Sequence, residues 1–370
     1  MRVSEIDTPA LLIDREIVLR NLQKMQSYTD AAGVSLRPHT KTHKMPYFAK
    51  LQESLGAAGI TVAKTGEAEI MAANGLKDIF IANEIVGELK FQRIIALLRA
   101  GVNLSFGADS IEQAGLIERA FERSGTKACV LAEIEVGENR SGFIEKQDFA
   151  AFIKFLKGCK NIEFRGVFSH DGHSYKAADK SECERIHLAA QRRTLEFADI
   201  ARELALPARV VSIGSTPSLI NDFEILKGVT EIRPGTYIFM DASQAQAYGD
   251  YSMNAASILT TVISRPTADR IITDVGAKGL TQQRRTEGFT ATPGLGRIKI
   301  KGTDVWIKGV YDEHAIIYDR ALRDAVRVGD RLEIYPNHIC PVVNLHEFAY
   351  LVSGGEVIEK IAVLCRGKLQ

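Results

Sequence analysis

The sequence lacks the features that mark secreted, membrane-spanning and nucleic-acid-binding proteins. Its five cysteines among 370 residues show no disulfide-scaffold spacing, and no apolar run approaches the roughly 20 residues that a transmembrane helix needs. No apolar segment after Met1 resembles a secretory signal. The formal net charge of +1 gives no field that would attract nucleic acid or a membrane surface. We therefore expect a cytoplasmic protein with reduced thiols and with neither nucleic acid nor membrane as a partner.

Strand-like runs alternate with amphipathic helical stretches over the first two thirds of the chain, which indicates βαβ units and a parallel sheet. The runs lie at residues 10–14, 34–39, 59–64, 79–83, 103–107, 129–136, 163–169 and 209–215. The first run is not followed by the G-x-G-x-x-G turn of a doubly wound dinucleotide-binding sheet. The pattern therefore favours an N-terminal (β/α)8 TIM-like barrel.

After about residue 250 the helical stretches become few and strand-like segments follow one another, which is typical of an antiparallel β domain. These segments lie at residues 258–266, 270–276, 297–302, 305–318, 330–336 and 356–364. We predict a barrel over residues 1–250 and a C-terminal antiparallel β domain over residues 251–370, with the first few residues assigned to either unit.

Ionisable side chains follow several of the predicted barrel strands, and reactive residues collect at the C-terminal ends of strands in such barrels. They are Arg37, His39 and Lys41 after the second run, Lys64 after the third, Arg140 after the sixth, and His170, His173 and Tyr175 after the seventh. We therefore expect them to converge on one face of the barrel.

Two turns of small residues have the chemistry of phosphate-binding loops, because they offer backbone N–H groups and hydroxyls. They are "IGSTPS" at 213–218 and "RPGTY" at 233–237. A lysine at a strand end beside a phosphate cradle suits an imine to pyridoxal phosphate (PLP). The residues alone leave an alternative open, in which the turns are ordinary and Lys41 and Lys44 are surface charges.

A possible metal site lies in "YPNHICP" at residues 335–341. On a strand, the spacing of His338 and Cys340 places both side chains on one face, where a nitrogen and a thiolate can bind a metal such as Zn²⁺. A buried structural cysteine beside a turn histidine is the alternative.

Taken together, these motifs resemble the D-threonine aldolase / D-serine dehydratase family, which belongs with the alanine-racemase-type (fold type III) PLP enzymes. The resemblance extends over nearly the whole chain. It rests on "DTPALLID" at 7–14, "LRPHTKTHK" at 36–44, "GSTPS" at 214–218, "RPGTYIFMD" at 233–241 and "PNHICPVVNLH" at 336–346.

The resemblance implies roles for individual residues. Lys41 would carry PLP as an imine, Arg140 would lie near the phenolic oxygen of the cofactor, and His338 and Cys340 would hold a divalent metal, Zn²⁺ or else Mn²⁺ or Mg²⁺. Phosphate contacts are implied for Gly214, Ser215, Thr216, Gly235, Thr236 and Tyr237. Further candidate catalytic residues are His39, His170 and Tyr175, of which Tyr175 is also a candidate cofactor contact.

The motif details resemble the dehydratase branch of this family more than the aldolase branch. The H-x-C pair is followed by Pro341, and "SHDGHSY" at 169–175 is similar to the dehydratase segment. The resemblance implies a PLP- and metal-dependent lyase that converts D-3-hydroxy amino acids such as D-serine, D-threonine or 3-hydroxyaspartate to a keto acid and ammonia. Retro-aldol cleavage to glycine and an aldehyde is the first alternative, and an amino-acid racemase is the second. A homodimer is also implied, in which the metal pair serves either its own Lys41 or that of the partner.

Overall fold

The computed structural model describes residues 1–300, 302 and 304–370, and eight parallel strands form the first of its two sheets. Strands are numbered from β1 (Ala10–Asp14), which belongs to the second sheet. The barrel strands are β2 (Ser35–Leu36), β3 (Ile60–Val62), β4 (Asp78–Glu84), β5 (Asn103–Ala108), β6 (Ala128–Ile134), β7 (Ile162–Ser169), β8 (Val210–Ile213) and β9 (Glu231–Ile232). They pair in the order β2-β9-β8-β7-β6-β5-β4-β3. The Thr61 amide donates to the Pro38 carbonyl at 2.8 Å, which joins the two end strands and closes the barrel.

Helices surround the barrel, and their ends follow the capping rules. They are α1 (Arg15–Ala32), α2 (Pro46–Ser54), α3 (Thr65–Ala73), α4 (Glu88–Arg99), α5 (Ile111–Phe121), α6 (Lys146–Leu156), α7 (Lys180–Glu203), α8 (Thr216–Ile220) and α9 (Ala242–Tyr248). The Asp14 side chain caps α1 by accepting from the Ile17 amide, and Gly33 ends the helix with a φ of 66°. Among the described residues, no helix combines the length and the apolarity needed to cross a bilayer.

The second sheet has nine strands and forms the β domain. After β1 its strands are β10 (Ala256–Ser264), β11 (Arg270–Thr273), β12 (Gly296–Ile298), β13 (Ile307–Val310), β14 (Ala315–Tyr318), β15 (Arg331–Pro336), β16 (Phe348–Ser353) and β17 (Glu356–Ala362). Three short helices lie between them, α10 (Ala277–Leu280), α11 (Arg320–Ala325) and α12 (Ile339–Leu345). The pairing is antiparallel except between β1 and β16, which run parallel, so the sheet is mixed.

The prediction of a barrel followed by a β domain is confirmed, but the sheet of that domain is mixed rather than antiparallel, and several strand assignments are corrected. The segment at 305–318 forms two strands, β13 and β14. The run at 10–14 is not a barrel strand, because β1 pairs with β10 and β16. The missing barrel strand is β9, whose two residues are too few to show any periodicity. The sequence analysis also missed β16. The predicted strand at 297–302 is seen over Gly296–Ile298, and its residue 301 lies outside the described residues.

Aromatic side chains fill the barrel interior and support the charged layer above them. The rings of Phe80 and Phe168 meet edge to face with centroids 5.0 Å apart. The guanidinium carbon of Arg233 lies 5.3 Å from the centroid of the Phe168 ring. The apolar core therefore ends where the polar site begins.

Candidate active site

The lysine segment follows β2 as an extended stretch and then a single 3-10 turn. Pro38 keeps Arg37 extended, and a 3-10 helix forms over Thr40–Thr42. His39 caps this helix, because its Nδ1 accepts from the Lys41 amide at 3.4 Å. With Nδ1 as the acceptor, neutral His39 carries its proton on Nε2. Lys41 therefore lies in a helical turn beyond the strand, with a hydrogen-bond donor beside it.

A cavity of about 360 Å³ opens at the C-terminal ends of the barrel strands, which is a typical size for a ligand site. It contains most of the predicted site residues: His39, Lys41, Arg140, His170, Tyr175, Gly214, Ser215, Thr216, Gly235 and Thr236. The predicted residues that do not line it are Arg37, Lys64, His173, Tyr237, His338 and Cys340. Arg37 binds Glu231 at 2.6 Å and Asp78, at the N-terminal starts of β9 and β4, so it faces the opposite end of the barrel. The side chain of Tyr237 is buried, with its hydroxyl accepting from Gln52 at 3.0 Å.

Burial, together with the cations of the cavity, favours the neutral form of its lysine. Burial lowers the pKa of Lys41, and the charge of Arg140 lowers it further, whereas Cys340, Glu138 and Glu67 oppose the shift. Burial also holds the pKa of His39 well below its ordinary value, with help from the charge of Lys41. A lysine with a lowered pKa has the free amine that imine formation needs.

Three charged residues of the cavity were missed by the sequence analysis, namely Glu84, Glu133 and Arg233. Glu133 accepts from Arg140 at 3.1 Å and from the Ser141 hydroxyl at 2.9 Å. Burial raises the pKa of Glu84 to about 9, and its hydrogen bond with Glu133 contributes. The two acids therefore share one proton, which is held on Glu84. Glu84 is the last residue of β4 and Glu133 lies near the end of β6, and no motif in the sequence marks either acid.

The segment after β7 supplies His170 and Tyr175. His170 Nδ1 lies 2.6 Å from the Gly214 carbonyl, so this nitrogen carries the proton and Nε2 keeps its lone pair. Burial lowers the pKa of His170 to about 4, with the charge of Lys41 contributing, so the ring is neutral near pH 7. Gly172 makes room for the neighbouring acid, because a Cβ there would lie 2.0 Å from Oε1 of Glu138.

The two small-residue turns meet at one end of the cavity. The Thr216 hydroxyl accepts from the amides of Gly235 at 3.3 Å and of Thr236 at 3.0 Å. A Cβ on Gly235 would lie 3.0 Å from Thr42 Oγ1, so glycine allows this turn to pack against the lysine segment.

A chain of buried hydroxyls supports Ser215 from behind. Its Oγ lies 2.9 Å from that of Ser174 and 3.1 Å from that of Ser218, which donates to Asp171 at 2.6 Å. Burial opposes ionisation of Asp171, but hydrogen bonds from His187 and Ser218 outweigh it and lower the pKa. The sequence analysis missed Asp171 and His187 as parts of the site.

The candidate metal pair comes from the β domain and meets the lysine segment of the same chain. Cys340 Sγ lies 3.3 Å from Thr42 Oγ1 and 3.7 Å from Thr236 Oγ1. The prediction that both residues lie on a strand is wrong, because β15 ends at Pro336, His338 precedes α12 and Cys340 lies within it. Proline at 336 ends the ladder. Across the described residues, no group of three His, Cys, Asp or Glu side chains has the arrangement of a metal site.

The cavity fits PLP by the chemistry of its donors. It has an amine of lowered pKa, two arginines, and hydroxyl-bearing turns that suit a phosphate. Arg233 Nε is buried and has no hydrogen-bond partner, although the other guanidinium nitrogens donate to Ser212 and to the Ser169 carbonyl. A bound cofactor could supply the missing acceptor.

A closed barrel with a lysine at its mouth and a β domain over that lysine defines an alanine-racemase-type PLP enzyme. The chain belongs to this family: residues 13–243 match the alanine racemase N-terminal domain, and residues 255–352 match the putative serine dehydratase domain. Membership implies pyridoxal phosphate as the cofactor. The protein is an enzyme of the lyase type, as its relatives indicate.

Three relatives match nearly the whole chain. A D-threonine aldolase from Arthrobacter sp. is 30% identical over 99% of this chain and 94% of its own. A 3-hydroxy-D-aspartate aldolase from Paracoccus denitrificans (strain Pd 1222) is 30% identical over 100% and 94%. The crystal structure of D-threo-3-hydroxyaspartate dehydratase from Delftia sp. HT23 is 29% identical, covers 98% of this chain and 99% of that one, and superposes with a TM-score of 0.91.

The dehydratase has also been solved as two alanine variants, one of a histidine and one of a cysteine two positions later, the cysteine variant in the metal-free form. The spacing of these two residues equals that of His338 and Cys340.

Proposed function

We propose that this protein is a metal-assisted, PLP-dependent dehydratase of D-3-hydroxy amino acids that produces a keto acid and ammonia. The observation that carries the proposal is the contact of Cys340 with Thr42, which brings the H-x-C pair to the segment of Lys41. The equal spacing in the related dehydratase supports the same reading. Relatives named as aldolases or dehydratases of 3-hydroxy amino acids support this substrate class.

The residues of the chain have separable tasks in this reaction. Bound PLP supplies an electron sink for the charge that develops at Cα of the substrate. Lys41, whose lowered pKa favours the free amine, takes the Cα proton. Arg140, held by Glu133, would bind the phenolic oxygen of the cofactor, and the turns at 214–216 and 235–236 would hold its phosphate. His39 lines the cavity and carries its proton on Nε2, so this nitrogen is a hydrogen-bond donor there.

His338 and Cys340 would hold a divalent cation, which acts as a Lewis acid on the β-hydroxyl. Loss of water from the substrate gives an enamine that hydrolyses to the keto acid and ammonia. Tyr175 lines the cavity, and burial raises its pKa, so it stays a hydroxyl that donates or accepts.

A retro-aldol cleavage to glycine and an aldehyde is the second candidate, and His170 favours it. Because Nδ1 donates to the Gly214 carbonyl, the lone pair of Nε2 is available to accept a proton from a β-hydroxyl. The two reactions start from the same substrates and differ in the proton that is removed first.

The test is product analysis with the PLP-loaded protein and each of D-serine, D-threonine and D-threo-3-hydroxyaspartate. We expect equal amounts of keto acid and ammonia. Their formation should stop when a strong chelator removes the metal. If the products are glycine and an aldehyde instead, the protein is an aldolase and the dehydratase proposal is wrong. The Lys41→Ala variant is the control for uncatalysed breakdown.

A further inference from the structure

The loop at residues 281–295, here called the rim loop, is fixed to the segment that carries Tyr175. The Thr290 hydroxyl donates to the Tyr175 carbonyl at 2.6 Å, and the Phe289 amide donates to the Ala177 carbonyl at 2.7 Å. An ion pair of 2.9 Å joins Lys176 to Glu287. The rim loop is therefore an ordered part of the cavity wall.

The rim loop also contacts the candidate metal pair. Gln283 Oε1 lies 3.0 Å from His338 Nδ1, and the Asn337 side chain donates to the Gly294 carbonyl at 2.7 Å. One loop thus extends from Tyr175 to His338.

Arg285 is the cation of this loop that packs against Tyr175, a residue of the cavity wall. Its guanidinium carbon lies 4.2 Å from the centroid of the Tyr175 ring, and the side chain is half-buried. Its Nε is buried and has no hydrogen-bond partner. Within the part of the chain that the structure describes, no carboxylate lies within 4.0 Å of this guanidinium, whereas Arg140 and Lys176 each have an acid that close.

Asp241 is the acid whose charge Arg285 influences, and its carboxylate already accepts hydrogen bonds from backbone amides. Asp241 accepts from the Gln244 amide at 2.8 Å and from the Ile339 amide at 3.1 Å. Among the described residues, Arg285 is therefore a half-buried cation with no carboxylate within 4.0 Å, packed against an aromatic ring. Such a group gains most from an anion that arrives with a ligand, because charge-assisted hydrogen bonds to a guanidinium are strong and bidentate.

The location of Arg285 relates it to one part of the substrate. In the proposed reaction the hydroxyl on Cβ faces His338 and Cys340. Because His338 contacts Gln283 of the rim loop, the remaining substituent on the same carbon would lie toward this loop.

We propose that Arg285 binds the distal carboxylate of the substrate, so that the preferred substrates are dicarboxylic D-3-hydroxy amino acids of the 3-hydroxyaspartate class. The proposal rests on the proposed function, because it uses the same cavity and the same reacting carbon. It assigns to Arg285 a role in specificity.

The kinetic test compares D-threo-3-hydroxyaspartate with D-serine in the PLP-loaded wild type, Arg285→Gln, Arg285→Lys and Arg284→Gln. Arg284 is the matched control, because it is the neighbouring exposed cation and its side chain donates to the Thr292 carbonyl instead. Arg285→Gln should lower kcat/KM for the dicarboxylate about 10- to 100-fold more than for D-serine, which is the usual range for a lost hydrogen bond to a charged group. The ratio of kcat/KM for the dicarboxylate to kcat/KM for D-serine in Arg285→Lys should lie between those of the wild type and Arg285→Gln. Arg284→Gln should keep the wild-type ratio.

Two results would overturn the assignment. An equal loss for both substrates would show that Arg285 binds a group that they share, such as the α-carboxylate. An unchanged ratio would show that it binds no part of the substrate.

A binding measurement separates failure of this proposal from failure of the proposed function. D-aspartate and D-alanine have no β-hydroxyl to lose, and they differ by the distal carboxylate. Calorimetric titration should give tighter binding of D-aspartate by wild type and loss of that preference in Arg285→Gln. If the protein dehydrates neither hydroxy amino acid, the proposed function fails. The calorimetric preference alone decides the role of Arg285, and equal binding of D-aspartate and D-alanine by the wild type would reject that role.

Discussion

Replacing Glu84 by glutamine should make the protein more stable, by an amount that grows with pH. Glu84 lies at the end of β4 and lines the cavity beside Glu133, which holds the anionic charge because Arg140 and Ser141 donate to it. Glu84 has no such donors, and its Oε1 is buried without a partner. The shared proton therefore stays on Glu84, and glutamine copies the shape of this neutral acid.

The magnitude follows from the raised pKa. Burial raises the pKa of Glu84 from 4.5 to about 9. Between these two values the unfolded chain releases a proton that the folded protein keeps, so the stability of the wild type falls as the pH rises. One pKa unit corresponds to about 1.4 kcal/mol, and keeping Glu84 protonated at pH 7 therefore costs roughly 3 kcal/mol. Glutamine has no proton to release, so the variant avoids this loss.

The assay is urea unfolding of the PLP-loaded wild type and Glu84→Gln at pH 5, 6, 7 and 8. The difference in unfolding free energy, variant minus wild type, should rise by about 1.4 kcal/mol per pH unit. Glu112→Gln, which changes an exposed carboxylate on α5, is the control and should give a difference that does not vary with pH. A flat difference for Glu84→Gln would refute the shared proton.

Three further predictions concern the lysine, the metal pair and the barrel. Lys41→Ala should abolish both turnover and the cofactor absorbance band near the visible edge, with an unchanged circular dichroism spectrum; a variant that keeps full activity would exclude Lys41 as the cofactor lysine. Cys340→Ala should lower the metal content, measured by elemental analysis, in proportion to activity, whereas Cys159→Ala should change neither; activity that persists in strong chelators would contradict the metal role. Arg37→Met should reduce the free energy of urea unfolding by about 3 to 5 kcal/mol, because it leaves two carboxylates in the barrel without their cation, whereas Arg119→Met on the exposed side of α5 should cause little change.

The order of the elements could be read from the sequence, but the closure of the barrel could not. Strand-like runs and helical periodicity recur at every barrel strand except β9, whose two residues carry no pattern of their own. Strand β1 reads as an ordinary buried strand, and only its pairing with β10 and β16 shows which sheet it joins. Pairing between residues more than 200 positions apart leaves no trace in a local pattern.

Motifs identified the residues that lie in loops after strands, and they missed the acids inside strands. Lys41, Arg140 and the two turns occur in short polar segments that contrast with their surroundings. Glu84 and Glu133 lie at or near the ends of their strands with no motif around them. Burial raises the pKa of Glu84, whereas for Glu133 the hydrogen bond with Glu84 and the charge of Arg140 outweigh burial and lower the pKa. Arg37 was misplaced for the complementary reason: it stands in the basic segment, but the pleat directs its side chain to Glu231 at the far end of the barrel.

The β domain holds the lysine segment as well as contributing the candidate metal pair. Cys340 packs against Thr42 on one side of Lys41. On the other side, Lys44 has a φ of 56°, a region that side chains with a Cβ seldom adopt, and the C-terminal segment secures it: the Cys365 amide donates to its carbonyl at 3.0 Å. The Lys44 ammonium pairs with the carboxylate of buried Glu67 at 2.9 Å. Since a single 3-10 turn has little stability of its own, these contacts give Lys41 its position.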